Sequence, residues 1–221
     1  MNKLLKLSNV SLNYIIDNNS INILKNISFE VDYKETISIV GESGSGKTSL
    51  IMLIGGLEKI SAGNIFFKGS EISNMTEDEI SEIRRKNIGI VFQSFYLIPN
   101  YTALENVSLS LEINKLDNAT QKAKEILDRF GLSNRFNNLP SQLSGGEQQR
   151  VAIARSVVMK PELILADEPT GNLDNKTGSI ISELLFEVNQ ESENALVVVT
   201  HDVNLAKRCD YQVELSEGLI T

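Results

Sequence analysis

The 221-residue chain has one cysteine, one histidine and no tryptophan. Cys209 by itself cannot close an internal disulfide, and His201 has no second imidazole to join it in metal ligation or catalysis. A chain so poor in thiols suits a reducing, cytosolic compartment. Long apolar runs are also missing: Ile51–Ile54 and Ala195–Val199 fall far below the roughly 18 consecutive apolar residues of a membrane-spanning helix. Any membrane role is therefore expected to come through a partner. There is no basic excess either. Against 21 Lys and Arg stand 29 Asp and Glu, a net charge of −8, which lacks the basic footprint of a nucleic-acid binder. What remains is 41% hydrophobic and 23% charged, a globular balance on a length that suits one domain, residues 1–221.

Four short runs are apolar throughout rather than alternately: Thr36–Val40, Ile88–Phe92, Leu163–Ala166 and Ala195–Thr200. Such runs predict strands buried on both faces, as in a parallel sheet covered by helices. Helical patterns follow or separate them at Ser49–Leu57, Glu77–Lys86, Ala103–Asn114, Thr120–Phe130, Glu147–Met159 and Thr177–Gln190. The alternation predicts an α/β core. Leu4–Leu12, Asn26–Asp32 and Gly63–Lys68 alternate apolar with polar residues, which predicts a small N-terminal antiparallel sheet beside the parallel one. The Asn/Asp-rich stretch Ile16–Asn22 is expected to be a flexible loop. Because the helical stretch 95–158 falls between two core strands, it is expected to be an inserted α-helical subdomain. Residues 1–94 and 159–221 would then form the core.

Gly41, Glu42, Ser43, Gly44, Ser45, Gly46, Lys47 and Thr48 fill the pattern G-x-x-x-x-G-K-[ST], directly after one buried strand and at the start of a helix. Three glycines let the backbone curl round an anion, so that the N–H groups of Ser43 to Ser49 can point inward at a helix N-terminus. Lys47 would neutralise phosphate oxygens and Thr48 would ligate Mg²⁺. A plain Gly/Ser turn with a solvated lysine is the bland alternative, and the strand before and helix after weigh against it. Asp167 and Glu168 end another buried strand. Neighbouring strand residues point to opposite faces, so Asp167 suits the Mg²⁺ shell and Glu168 suits a general base. Ser144, Gly145, Gly146 and Glu147 form a second glycine-rich helix start. Ser144 and Glu147 satisfy a capping box, but the two glycines go unexplained unless they too cradle an anion.

With these residues in view, the stretch Leu143–Asp174 resembles the signature, Walker B and D-loop sequence of the ATP-binding subunits of ABC transporters. The resemblance implies a P-loop NTPase of RecA-like fold, with ATP and Mg²⁺ as cofactors. It also implies an ATP-dependent homodimer in which each site joins one chain's phosphate loop to the other's signature. Tyr14 would stack on adenine, Gln93 would sense the γ-phosphate and Mg²⁺, Asp174 would act across the dimer, and His201 would be a switch on the γ-phosphate. Thr48-Ser49 stands where the family usually has Ser-Thr, which keeps both hydroxyls. The expected partner is an integral membrane permease, with the subunit peripheral on the cytoplasmic face of the inner membrane. Within the family, Gly171–Asp174 and the segments Ile98–Pro99 and Thr102–Val107 resemble the LolD, MacB and YbbA group, and within that group Gly41–Gly46, Phe92–Pro99, Gln142–Gln149 and Ala206–Asp210 look most like YbbA, with LolD next. That implies lipid or lipoprotein handling. Soluble relatives in DNA repair or translation are the rival. They interrupt the two motifs with coiled coils or zinc modules, or carry two ATP heads per chain, and neither feature is present in this sequence.

Overall fold

A computed structural model of the chain describes residues 3–16 and 19–221. Its elements run β1 (Leu5–Ile16), β2 (Asn19–Val31), β3 (Thr36–Val40), α1 (Lys47–Ile54), β4 (Ala62–Phe67), β5 (Ser70–Glu71), α2 (Glu77–Asn87) and β6 (Ile88–Phe92). They continue through α3 (Ala103–Ile113), α4 (Ala119–Arg129), α5 (Gly145–Val157), β7 (Leu163–Asp167), α6 (Asn175–Ser192), β8 (Ala195–Val199), α7 (Val203–Ala206), β9 (Tyr211–Ser216) and β10 (Leu219–Ile220).

Two sheets result. The six-stranded one has the order β10-β9-β3-β8-β7-β6, parallel except for the short β10, and the four-stranded one has the antiparallel order β2-β1-β4-β5. The four apolar runs are four adjacent strands of the parallel sheet, β3, β8, β7 and the edge strand β6. Their residues alternate between two cores, as burial on both faces requires. Leu163 and Leu165 pack with α1 and the antiparallel sheet, whereas Ile164 and Ala166 pack under α3 to α6.

Two features depart from the sequence expectation. Asn19 to Asn22, expected in a loop, lie in β2, where Asn22 pairs with Asn13 and Ile21 with Tyr14; Asp17 and Asn18 of that stretch lie outside the described residues. Backbone pairing in a long hairpin overrides the low strand propensity of Asn and Ser. The strands β9 and β10 carry no long apolar run. β3 supplies the pairing for β9, and β9 in turn that for β10, which local sequence does not announce.

Candidate functional site

Parallel strands bring their carboxyl ends to one edge of a sheet, where open α/β sheets place ligands. Across β3, β8, β7 and β6, the residues Ile39, Val199, Asp167 and Phe92 stand level in register. One or two residues further on, these strands deliver Gly41, His201, Glu168 and Gln93. Together with Lys47, Thr48 and Ser49 they line one cavity of 510 Å³. Strand adjacency assembles it from positions up to 160 residues apart in the chain.

The phosphate loop has the backbone its glycines predict. At Gly46 φ is 104°, and a Cβ would lie 2.8 Å from Cδ2 of Leu24, so only glycine fits. Gly46 also occupies the N-cap of α1, and no side chain caps that helix. Its first-turn N–H groups are therefore available to an anion, with the positive end of the helix dipole behind them. Lys47 is buried and donates from Nζ to the carbonyls of Gly41 (2.9 Å) and Glu42 (2.8 Å). Both acceptors are neutral, which leaves the ammonium charge uncompensated by them and suited to phosphate. Ser43 and Gly44 line the cavity, Ser45 is buried with its Oγ unpartnered, and the Glu42 side chain is exposed outside the lining.

Asp167 continues the face of Leu163 and Leu165, toward α1, and is buried. Burial pushes its carboxyl above the ordinary range, the Thr48 hydroxyl opposes that, the Glu168 charge adds to it, and Lys47 opposes it again. Its Oδ1 is buried without a hydrogen-bond partner. A partnerless buried carboxylate oxygen beside a threonine hydroxyl is a donor set that suits a hard divalent cation such as Mg²⁺.

Glu168 takes the opposite direction from Asp167. Its φ of 46° is a left-handed conformation that non-glycine residues seldom adopt. This turns its carboxylate to His201, whose Nδ1 lies 2.7 Å from Oε2. The Glu168 side chain is 16% exposed and that of His201 is 70% exposed, so the histidine is the outer member of the pair. The direct contact between the two was not legible in the sequence.

Ser144, Gly145, Gly146 and Asp174 meet elsewhere, around a separate 320 Å³ cavity that shares no lining residue with the first. At Gly146 a Cβ would sit 2.4 Å from Cγ2 of Thr177, so α5 and α6 start in contact there. Ser144 does cap α5: its Oγ accepts from the Glu147 N–H at 3.3 Å, and Glu147 Oε2 accepts from the Ser144 N–H at 2.8 Å. Glu147 also accepts from Arg135 at 2.7 Å. Arg135 and the Ser144 N–H together hold the Glu147 carboxyl down at about 2. Its oxygens thus serve the helix start, and the residue does not line the cavity. Asp174 caps α6 by accepting from the N–H groups of Lys176 and Thr177.

A phosphate loop, a strand-end carboxylate pair and a second glycine-rich helix start are thus set in one α/β fold. Residues 24–171 match the family model described as ABC transporter. The chain belongs to the ABC transporter family. It is an ABC-type ATPase. It is 42% identical over 219 residues to the lipoprotein-releasing system ATP-binding protein LolD of Idiomarina loihiensis, covering 98% of this chain and 96% of that protein. Among solved structures it is similar to the ATP-binding cassette MJ0796, described as a bacterial ABC transporter cassette, in two dimeric forms, one of them a post-hydrolysis state bound to ADP and Pi. The TM-scores are 0.91 and 0.92, each at 42% identity, covering 98% of this chain and 96% of that one.

Within this ABC cassette, Tyr14 lies on β1 outside both cavities, 38% exposed, with its hydroxyl donating to Glu58 at 3.1 Å. Two cavity-lining residues, Ile23 and Val199, escaped the sequence search because isolated aliphatics carry no chemical signature. Asn172 escaped it as well, although its side chain touches Gln93.

Proposed function

We propose that this chain binds MgATP at the first cavity and hydrolyses it as a head-to-tail pair. In that pair, the Ser144–Gly146 cradle of one copy closes over the phosphate loop of the other. The observation that carries this reading is the separation of the two anion cradles within one chain: neither cavity contains the other's residues. A second copy supplies what each site lacks, with the arrangement closing as a two-fold dimer. The dimeric relatives at 42% identity support it.

Each residue then has a task set by its position. The uncapped start of α1 and Lys47 hold the phosphates, while Thr48, Asp167 and Gln93 would hold Mg²⁺, which when bound neutralises charge on the phosphate oxygens. Asp167 supplies one carboxylate oxygen, in keeping with a cation that takes its remaining ligands from phosphate and water. Glu168 receives the proton of the attacking water, and His201, bonded to it, fixes its carboxylate and faces the γ-phosphate side. Tyr14 stacks on the base, and Asp174 bears on the second copy.

The working partner is an integral membrane permease, contacted on the cytoplasmic face of the inner membrane through residues 94–106. This segment follows Gln93 directly and exposes Tyr96 and Tyr101. The relative that serves lipoprotein release favours a lipid- or lipoprotein-handling system. Among the described residues no helix is long and apolar enough to cross a membrane. The deciding experiment is Glu168→Gln: ATP binding is retained while hydrolysis slows about 10²-fold or more. Turnover at the wild-type rate would remove Glu168 as the base. Purification from membranes with mass spectrometry of the co-isolated chain tests the partner, and recovery without any integral membrane protein would refute it.

A further inference from the structure

Among the described residues Gln93 is the only side-chain amide lining the first cavity, and an amide has two chemically opposite ends. An oxygen facing the cavity can ligate a cation, whereas an NH₂ repels it. Two contacts decide which end faces inward. Asn172 Nδ2 lies 3.0 Å from the main-chain carbonyl of Gln93. A carbonyl only accepts, so this end of Asn172 must be its NH₂. The other end is then Oδ1, which only accepts, and it lies 3.1 Å from the Gln93 side-chain amide. The end of Gln93 held there must therefore be Nε2. Oε1 is left as the end that is free to enter the cavity. One backbone carbonyl thus fixes the orientation of both amides.

Gly171 completes the seat. A Cβ built on it would stand 2.8 Å from Gln93 Nε2 and 3.2 Å from its Cδ, so the amide rests directly on the glycine Cα. Gly171 is not among the positive-φ glycines, so its backbone conformation is open to alanine. The absence of a side chain at this position serves the Gln93 amide and not a turn.

We infer that Gly171 and Asn172 are positioning residues that seat the Gln93 amide with its oxygen toward the divalent cation of the nucleotide. The inference rests on the MgATP reading above. Asn172 lies next to the second cavity as well, whose lining it joins, so the same residue links the Gln93 end of the first site to the segment leading to Asp174.

The test uses full-length protein carrying Glu168→Gln, loaded with ATP, with Mn²⁺ as the probe and electron paramagnetic resonance reporting free and bound metal. Asn172→Ala weakens Mn²⁺ binding by about tenfold, the scale on which outer-shell partners act. It leaves metal-free ATP affinity unchanged. Gly171→Ala does the same by displacing the amide. In a Gln93→Ala background neither substitution has any further effect, because the group they position is gone. Circular dichroism melts establish that each variant is folded, and with two independent substitutions the loss of one to misfolding leaves the other to decide. Unchanged Mn²⁺ affinity in Asn172→Ala or in a folded Gly171→Ala, or losses that multiply with that of Gln93→Ala, would overturn the inference. Failure of the parent protein to bind ATP and Mn²⁺ at all would instead refute the reading beneath it.

Discussion

Asp167 and Glu168 are adjacent in sequence and opposite in circumstance. The first sits under α1 with an orphaned oxygen, and the second swings out on a left-handed backbone to meet His201. Burying a carboxylate without full compensation costs stability, and such costs concentrate at functional sites. Burial is the main reason the Asp167 carboxyl lies above the ordinary aspartate value of 3.8 in the folded protein. For an acid this sign means that the charged form is penalised in the folded state. The penalty is absent well below 3.8 and fully present above the raised value. Asp167→Asn should therefore stabilise the nucleotide-free protein at neutral pH by about 1 kcal/mol, within the range typical of relieved functional strain. The gain should fade as pH falls toward 4, while Mn²⁺ binding is lost. Thermal melts with and without nucleotide and metal read both effects. A melting temperature lowered at pH 7 would contradict the assignment.

Helix starts are the elements on which the chemistry depends, and the chain builds them in two ways. At α1 no side chain caps the helix and the N–H groups are left for a ligand, whereas at α5 the serine cap, Glu147 and Arg135 secure the turn from within. The Glu147 carboxyl, held at about 2, is depressed from 4.5. Its contribution is therefore complete above about pH 4.5 and disappears as pH falls toward 2. Glu147→Ala should cost about 1 kcal/mol at neutral pH, as loss of a cap does. Wild type and variant should converge in stability near pH 2, as measured by urea denaturation across that interval. A constant difference down to pH 2 would mean that Glu147 acts by packing and not by charge. The loop after Gln93 is secured from the same helix. Phe95 and Tyr96 both have positive φ, and their carbonyls accept from the guanidinium of Arg155 at 2.8 and 2.6 Å. α5 thereby carries the Ser144 cradle at one end and holds the proposed permease-facing loop near the other.

At the scale of the whole molecule, the proposed head-to-tail pair makes one chain half of each of two sites. Ser144→Arg should abolish ATP turnover while leaving ATP binding to the isolated monomer nearly intact if the signature acts on the partner's nucleotide as proposed. Lys47→Ala should abolish turnover by weakening nucleotide binding in its own chain. A mixture of the two inactive variants should regain activity, since a mixed dimer pairs the intact phosphate loop of one with the intact signature of the other. Steady-state phosphate release from the mixture measures this. No recovery in a mixture shown to form mixed dimers would place the signature in its own chain's site.

The sequence by itself determined the elements whose cause is local. Four short continuous apolar runs predicted strands buried on both faces, and a glycine-rich loop between strand and helix predicted a cradle for something small and anionic. Those regularities also brought the phosphate loop, the carboxylate pair and the second helix start into view before any fold was known. What the sequence left open depends on neighbours distant along the chain. Asn19 to Asn22 became strand because β1 lay opposite them, and β9 formed on β3 without an apolar run of its own. The Glu168–His201 contact, the Asn172 seat for Gln93 and the division of the two cradles between separate cavities follow from strand order and register. A side chain's partners across a sheet are set by which strands lie side by side, and no spacing within the chain records that.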